Sequence, residues 1–476
     1  MAKFPLIARC DALESNKPSS RPITGPSSKH IPNDVWIYIA EFIPSKTLRN
    51  LYSINSLFLD LALNERYKEV NFLQINYRTI EFLEHISDPN ISSRVRRLRI
   101  NPVWFNLEST SPKISLRDRL VLSIRSRRSL DALFSACKKA KRRNRIDALT
   151  TDLVVHLFNV TTFILVTRYQ PHPKALALFL SKSWAAFGSN LRRLTLNAPL
   201  GDFAALLPSP FALVSLEELT LRFSTDLSSD DPAVDTEILT NVISPFLQQI
   251  SPRLKNLNLM SSALGDHSIL FHTLGHMSSL TTLSLNIGFY PPLLQDISGL
   301  TKFLNWNSRN LKHVKLQPLE IFRVPSLSTP AHDHFVHWMS DNAANKDFLS
   351  NLQTFVVLPS TEIPASSKFN AAILYIPRSQ DTLTNLIIGE SCLSFSELNT
   401  LVSALSHRPP DRGLKILHVQ LFSLNPQVFD LLAAKLPGLD DLDIKFNTLL
   451  PDDKEEMPLI MYYEEPVEEV SFLSLS

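Results

Sequence analysis

From Val95 onward the chain repeats one spacing of hydrophobic positions: an apolar residue, a second three places later and a third two places after that, as in Leu191-Arg192-Arg193-Leu194-Thr195-Leu196. The spacing recurs eleven times, starting at Val95, Val160, Leu191, Leu216, Leu254, Leu280, Leu311, Leu352, Leu383, Leu414 and Leu439. Its last three positions alternate apolar, polar, apolar, the period of a half-buried strand. Between units the period lengthens. In residues 173–187, Leu176, Leu180, Trp184 and Phe187 recur at helical spacing, and residues 237–249, 396–405 and 426–436 behave alike. Short strands alternating with helices predict an α/β solenoid with a parallel inner sheet and outer helices, each unit burying its apolar side against the next.

Successive starts lie 65, 31, 25, 38, 26, 31, 41, 31, 31 and 25 residues apart. The shortest approach the roughly 20–29 residues of a leucine-rich repeat, so the longer ones imply longer helices or surface insertions. Insertions are expected at residues 224–236, rich in aspartate, and at 317–345; the 65-residue gap leaves room for two units. Only the last unit adds the fuller ending, Asn447 then Leu449. The expected architecture is therefore an irregular solenoid over residues 73–450.

Strand alternation assigns the leucines to the core and the residues flanking each third leucine to the concave wall. That wall pairs Thr195 with Asn197, Thr220 with Arg222, Asn258 with Met260, Ser284 with Asn286, Lys315 with Gln317, His418 with Gln420 and Asp443 with Lys445. Arg222, Asn258, Asn286, Lys315, Gln317, His418, Gln420, Asp443 and Lys445 are the candidate substrate-binding side chains. Val356, Leu358, Ile387 and Gly389 interrupt the polar row and form a candidate pocket for an aromatic or aliphatic anchor. Arg222, Lys315 and Lys445 can receive a phosphate if neighbouring repeats bring them together.

Ahead of the repeats, residues 30–72 predict a helical domain of three short helices. Asn33 can cap the first, in which Val35, Ile39 and Phe42 or Ile43 share a face before Pro44 stops it. Ser45 opens the second, with Leu48, Leu51 and Ile54 at three-residue spacing, and Phe58, Leu61 and Ala62 belong to the third. Such a block of about 40 residues buries too little to be very stable alone, and an apolar groove-binding face is the natural inference.

The order of residues here resembles the F-box: Ile31-Pro32, then Asp34, Ile39, Phe42-Ile43-Pro44, Leu48, Leu51, Ile54 and Phe58. The resemblance covers residues 30–63, and Ile54-Asn55-Ser56-Leu57-Phe58 replaces the family's common Val-Cys-Lys-x-Trp, with Phe58 supplying the bulk of the tryptophan. It implies docking on a Skp-type adaptor, and through it on a cullin-RING ubiquitin ligase. Ile31, Pro32, Val35, Ile39, Leu48 and Leu51 would be the adaptor contacts, and Ile54 and Phe58 internal packing. An F-box followed by leucine-rich repeats resembles the substrate-receptor class of these ligases, with the repeats binding a protein substrate. The alternative is a ligase-independent interaction scaffold whose helical block merely caps the first repeat.

Of the 476 residues 44% are hydrophobic and 20% charged, and the net charge is +2, so no global field favours nucleic acid or membranes. Cys10, Cys137 and Cys392 lie too far apart for a disulfide framework or a zinc cluster and suit a reducing compartment, the cytoplasm or nucleus. Residues 1–29 read as a disordered leader and residues 451–476, with eight acids against Lys454, as an acidic tail in which 459–463 could form an edge strand. Between Arg117 and Arg145 eleven basic residues face two acids with Phe134 as the only aromatic, a composition for an acidic partner or nuclear import and a poor one for stacking on bases. His332, His334 and His337 lack further ligands for a closed metal site. No phosphate loop, dinucleotide fingerprint or nucleophile elbow is present, so no cofactor and no catalytic role are expected.

Overall fold

The computed structural model describes residues 32–72, 77–101, 152–167, 173–224, 232–263, 265–289, 293–319, 331–342, 345, 348–358, 375–376, 379, 382–406 and 413–450. The expected leader, the basic segment at 117–145 and the acidic tail lie outside these residues. The chain divides into two compact units, up to Glu65 and from Arg66 onward.

Among the described residues the first unit holds α1 (Asn33–Glu41), α2 (Ser45–Leu48) and all but the last two residues of α3 (Ser56–Tyr67). Backbone carbonyls of proline start the first two. Pro32 accepts from the N–H groups of Val35 and Trp36, and Pro44 from those of Thr47 and Leu48. Asn33 is thus the first helical residue rather than the cap, and its side chain makes no capping bond. At the third helix the expected chemistry does occur, with Asn55 Oδ1 accepting from Phe58 N at 2.8 Å. The core is Ala40, Leu48 and Phe58, against which Trp36, Ile43, Leu51 and Leu61 pack. Trp36 and Phe58 meet edge to face at 5.6 Å. The second helix is a single turn, so Leu51 and Ile54 follow it in turns.

The second unit is built on one sheet of twelve parallel strands in sequence order: β1 (Glu69–Phe72), β2 (Arg97–Ile100), β3 (Thr162–Val166), β4 (Arg193–Pro199), β5 (Glu218–Ser224), β6 (Asn256–Ser261), β7 (Thr282–Ile287), β8 (His313–Pro318), β9 (Thr354–Val357), β10 (Asn385–Leu393), β11 (Ile416–Leu424) and β12 (Asp441–Leu449). Each of the eleven spacings supplies one strand. β1 is additional and moves the helical boundary forward from residue 72, because Val70 and Phe72 are buried while Glu69 and Asn71 between them are exposed. β2 and β3 are direct neighbours, Arg97 opposite Thr162, and most of the 65-residue gap lies outside the described residues.

In the first ten units every residue of the spacing is at most 3% exposed. At about 25 cal/mol per Å² of apolar area removed from water, this continuous seam is the main source of stability for the unit. Helices follow where the sequence period predicts them, at Pro173–Phe187, Phe395–Leu405 and Pro426–Lys435. The expected insertion at 317–345 instead contains the helix Ala331–Asn342, whose Phe335, Trp338 and Met339 are buried. Trp338 Nε1 donates to Thr301 Oγ1 at 2.8 Å. Apolar residues at i, i+3 and i+4 anchor this segment. The 224–236 segment likewise ends in helix from Pro232.

Asparagine does join the repeats, at a position other than the expected one. The residue immediately before a unit's first apolar position reaches the carbonyl two places before the corresponding position of the preceding unit. Asn159 donates to Ser93 O (2.8 Å), Asn190 to Phe158 O (2.9 Å), Asn310 to Ser278 O (3.2 Å) and Asn351 to Arg309 O (3.4 Å). Ser279 does the same to Pro252 O at 2.7 Å. Turn carbonyls that the sheet cannot pair are satisfied this way. A second bridge comes from the Asp-x-Ser sequences 266–268 and 296–298. Asp266 Oδ1 accepts from Ser268 N and from Gln295 N, and Ser268 Oγ accepts from Asp296 N.

Candidate functional site

Two surfaces carry side chains able to recognise a partner. The first is one side of α1. Helical spacing sends Trp36, Ala40 and Ile43 to the small core and leaves Val35, Tyr38, Ile39 and Phe42 together on the other face. Val35 is 44%, Ile39 38% and Phe42 71% exposed. Tyr38 and Phe42 pack edge to face at 5.0 Å, forming an aromatic pair on the surface. Pro32 is also exposed and Leu51 is half-buried. Ile31 lies outside the described residues. Leu48 departs from the expected arrangement: at 7% exposure it is a core residue packed with Ala40 and Phe58, because one helical turn between Pro44 and Arg49 points it inward. Ile54 departs in the other direction and is exposed, while Phe58 is buried. The side of α1 taken by Tyr38 and Phe42 was legible in their three-residue spacing from Val35 and Ile39 respectively.

The second surface is the sheet face opposite the leucines. Register aligns Thr195, Thr220, Asn258, Ser284, Lys315, Val356, Ile387, His418 and Asp443 in one continuous row. A second row aligns Asn197, Arg222, Met260, Asn286 and Gln317. Arg222, Asp443 and Lys445 are exposed, and Asn258, Lys315, Gln317, His418 and Gln420 are half-buried. Asn286 is not accessible as expected. It is 7% exposed and its Oδ1 makes no hydrogen bond within the described structure, since its neighbours in the row, Met260 and Gln317, are long enough to cover it.

At β10 the second row breaks. Ile388 faces Val419 but Cys392 faces Gln420, so Gly389, Glu390 and Ser391 bulge out of the ladder. Val356 and Ile387 remain directly opposite one another, an apolar step in a polar row. The expected pocket at Gly389 is filled: a Cβ there would lie 2.5 Å from Leu358 Cδ2. Nor do the three cations converge. Arg222 and Lys315 stand three strands apart and Lys315 and Lys445 four, at about 4.8 Å per strand, so one phosphate cannot bridge them.

Cross-strand ion pairs border the row, Arg193 Nε to Glu218 Oε2 and Lys255 Nζ to Glu217 Oε1 each at 3.0 Å. His313 Nδ1 lies 2.9 Å from Thr354 Oγ1, and partial burial, reinforced by the Lys312 charge, holds its imidazole below the ordinary histidine value. His418 Nε2 stands 3.5 Å from Asp441 Oδ2 without the alignment of a hydrogen bond. On the helical side a groove of about 530 Å³ runs between Ser298–Asn307 and Ala331–Asn342, with Lys302 Nζ 4.7 Å over the ring of the half-exposed Trp306. His334 and His337 are exposed on the second of these helices, and among the described residues no three His, Cys, Asp or Glu side chains are grouped to hold a metal. No helix of the described residues is long and apolar enough to cross a membrane.

No protein-family model matches the chain, and no curated protein matches it. Among solved structures, an internalin (inlF) from Listeria monocytogenes str. 4b F2365 is 12% identical, aligning over 84% of this chain and 94% of its own with a TM-score of 0.28, a likeness that carries no argument about fold or function.

Proposed function

We propose that this chain is a non-catalytic receptor: the N-terminal helices dock on a Skp-type adaptor, and through it on a cullin-RING ubiquitin ligase, while the repeat sheet binds the protein substrate. The observation that carries the reading is the apolar face of α1. Val35, Ile39 and Phe42 stay in solvent although the same helix commits Trp36 and Ala40 to a core that Ile43, just beyond it, joins. A small helical unit that leaves this much apolar surface uncovered suits a groove-binding partner. The match of Pro32, Asp34, Ile39, Phe42, Pro44, Leu48 and Leu51 to the F-box order supports the identity of that partner. For the substrate, the continuous row from Thr195 to Asp443 offers side chains at regular strand spacing, with the Val356–Ile387 step as an apolar anchor point. A receptor of this type accelerates ubiquitin transfer through effective concentration and supplies no covalent chemistry. It works in the cytoplasm or nucleus.

Adaptor capture tests the reading. Purified Skp-type adaptor is expected to retain the full chain and to lose it on Ile39→Asp or on Phe42→Asp. Retention unchanged by both substitutions would remove the adaptor role and favour a ligase-independent scaffold.

A further inference from the structure

The eleventh unit is built unlike the ten before it. Leu439, Leu442 and Ile444 are only half-buried, and beyond them Phe446 is exposed and Leu449 is 65% exposed. Among the described residues β12 has β11 as its only neighbour. The N–H of Asp441 donates to Lys415 O at 2.9 Å. Strand alternation then turns the backbone groups of Leu442, Ile444 and Phe446 away from β11, a row of donors and acceptors that no described strand pairs. Such edges are commonly guarded by proline, by shortening or by charge; β12 runs nine residues without a proline, and the charges it carries at 443 and 445 are of opposite sign.

The sequence of this edge is self-complementary in the antiparallel sense. Counting outward from Ile444, Asp443 is matched by Lys445, Leu442 by Phe446 and Asp441 by Asn447. We propose that β12 is a homodimerisation edge, pairing antiparallel with β12 of a second copy about a two-fold axis through Ile444. In that register Ile444 faces its own counterpart and Leu442 faces Phe446 as hydrogen-bonded pairs, because theirs are the outward-turned backbones. Asp443 and Lys445 form the intervening pairs, in which side chains approach most closely, and the two-fold axis generates that ion pair twice. The apolar contacts fall on the leucine side of the sheet and the ion pairs on the side of His418. A one-residue slip would set Asp443 against Ile444 and forfeit both ion pairs, so charge fixes the register.

Sedimentation equilibrium of the purified full chain, across low to high micromolar concentration, tests this without any adaptor or substrate, so it fails or succeeds apart from the receptor reading. A monomer–dimer equilibrium is expected. Asp443→Lys alone and Lys445→Asp alone each place like charges opposite one another twice and weaken the dimer by roughly tenfold or more. The double variant D443K/K445D restores it. Mixing the two single variants is expected to produce a heterodimer, since every pair is again opposite in sign, and this arm separates a charge effect from misfolding. A full chain that stays monomeric, single variants that dimerise as well as the parent, or a mixture that stays monomeric would each overturn the proposal. A monomer that dimerises only after removal of residues 451–476 would also overturn it, assigning the edge in the full chain to its own C-terminal segment.

Discussion

The two units treat the same kind of residue in opposite ways. In the first ten repeats, apolar residues three and two places apart are sealed to within 3% of full burial, because each unit's apolar side is covered by the next. In the N-terminal helices, equally apolar residues on α1 remain at the surface around a core of only Ala40, Leu48 and Phe58. The difference is one of supply: a repeat inside the stack has a neighbour on each side, whereas three short helices cannot enclose both faces of α1. Apolar residues are therefore left over by packing in the first unit and used up by it in the first ten repeats of the second.

The sharpest test of that contrast is a truncation on the buried side. Phe163→Ala removes a fully buried ring that packs against Trp184 and Phe187. It is expected to cost about 3–5 kcal/mol in denaturant unfolding. Asn307→Ala tests a buried polar joint instead. Its Oδ1 accepts from Met277 N at 2.8 Å and its Nδ2 donates to Phe303 O at 2.7 Å. Leaving the Met277 N–H buried and unpaired should cost about 1–3 kcal/mol by the same measurement.

Acid probes the repeats through His267, which is buried with Nδ1 3.1 Å from Leu293 O. Desolvation holds its imidazole below the ordinary value, against the raising effects of the Leu293 hydrogen bond and the Asp266 charge. The unfolded chain then binds the proton first, so this stability is present above about pH 6.5 and is lost as pH falls below it, by up to about 1.4 kcal/mol per unit. Thermal unfolding at pH 7.5 and 5.5 should show a smaller difference in His267→Gln than in the parent. Removing one rung of the inter-repeat ladder, Asn159→Ala, is a milder change, expected at about 1 kcal/mol. Ile39→Asp completes the comparison at the smallest end. Its unfolding midpoint should move by no more than about 0.5 kcal/mol, as for a surface site, while adaptor capture is lost. A large destabilisation there would show that α1's outer face is structural after all.

Much of this fold was legible because hydrophobic period is a local property. The eleven spacings specify eleven strands, the 3.6-residue stretches specify helices, and alternation assigns Thr195 or Lys315 to the face opposite the leucines. What the chain could not announce depends on neighbours distant in sequence. Leu48 and Ile54 exchange their expected places because the length of α2 decides which way each points. Asn286 is covered by Met260 and Gln317 of adjacent strands, and Leu358 fills the space at Gly389 across another. The partner of Asn159 lies 66 residues away. Periodicity fixes which residues turn inward, since it needs only the geometry of one element. Which outward residues stay accessible, and which cations meet, is set by cross-strand register, which exists only once the strands are assembled.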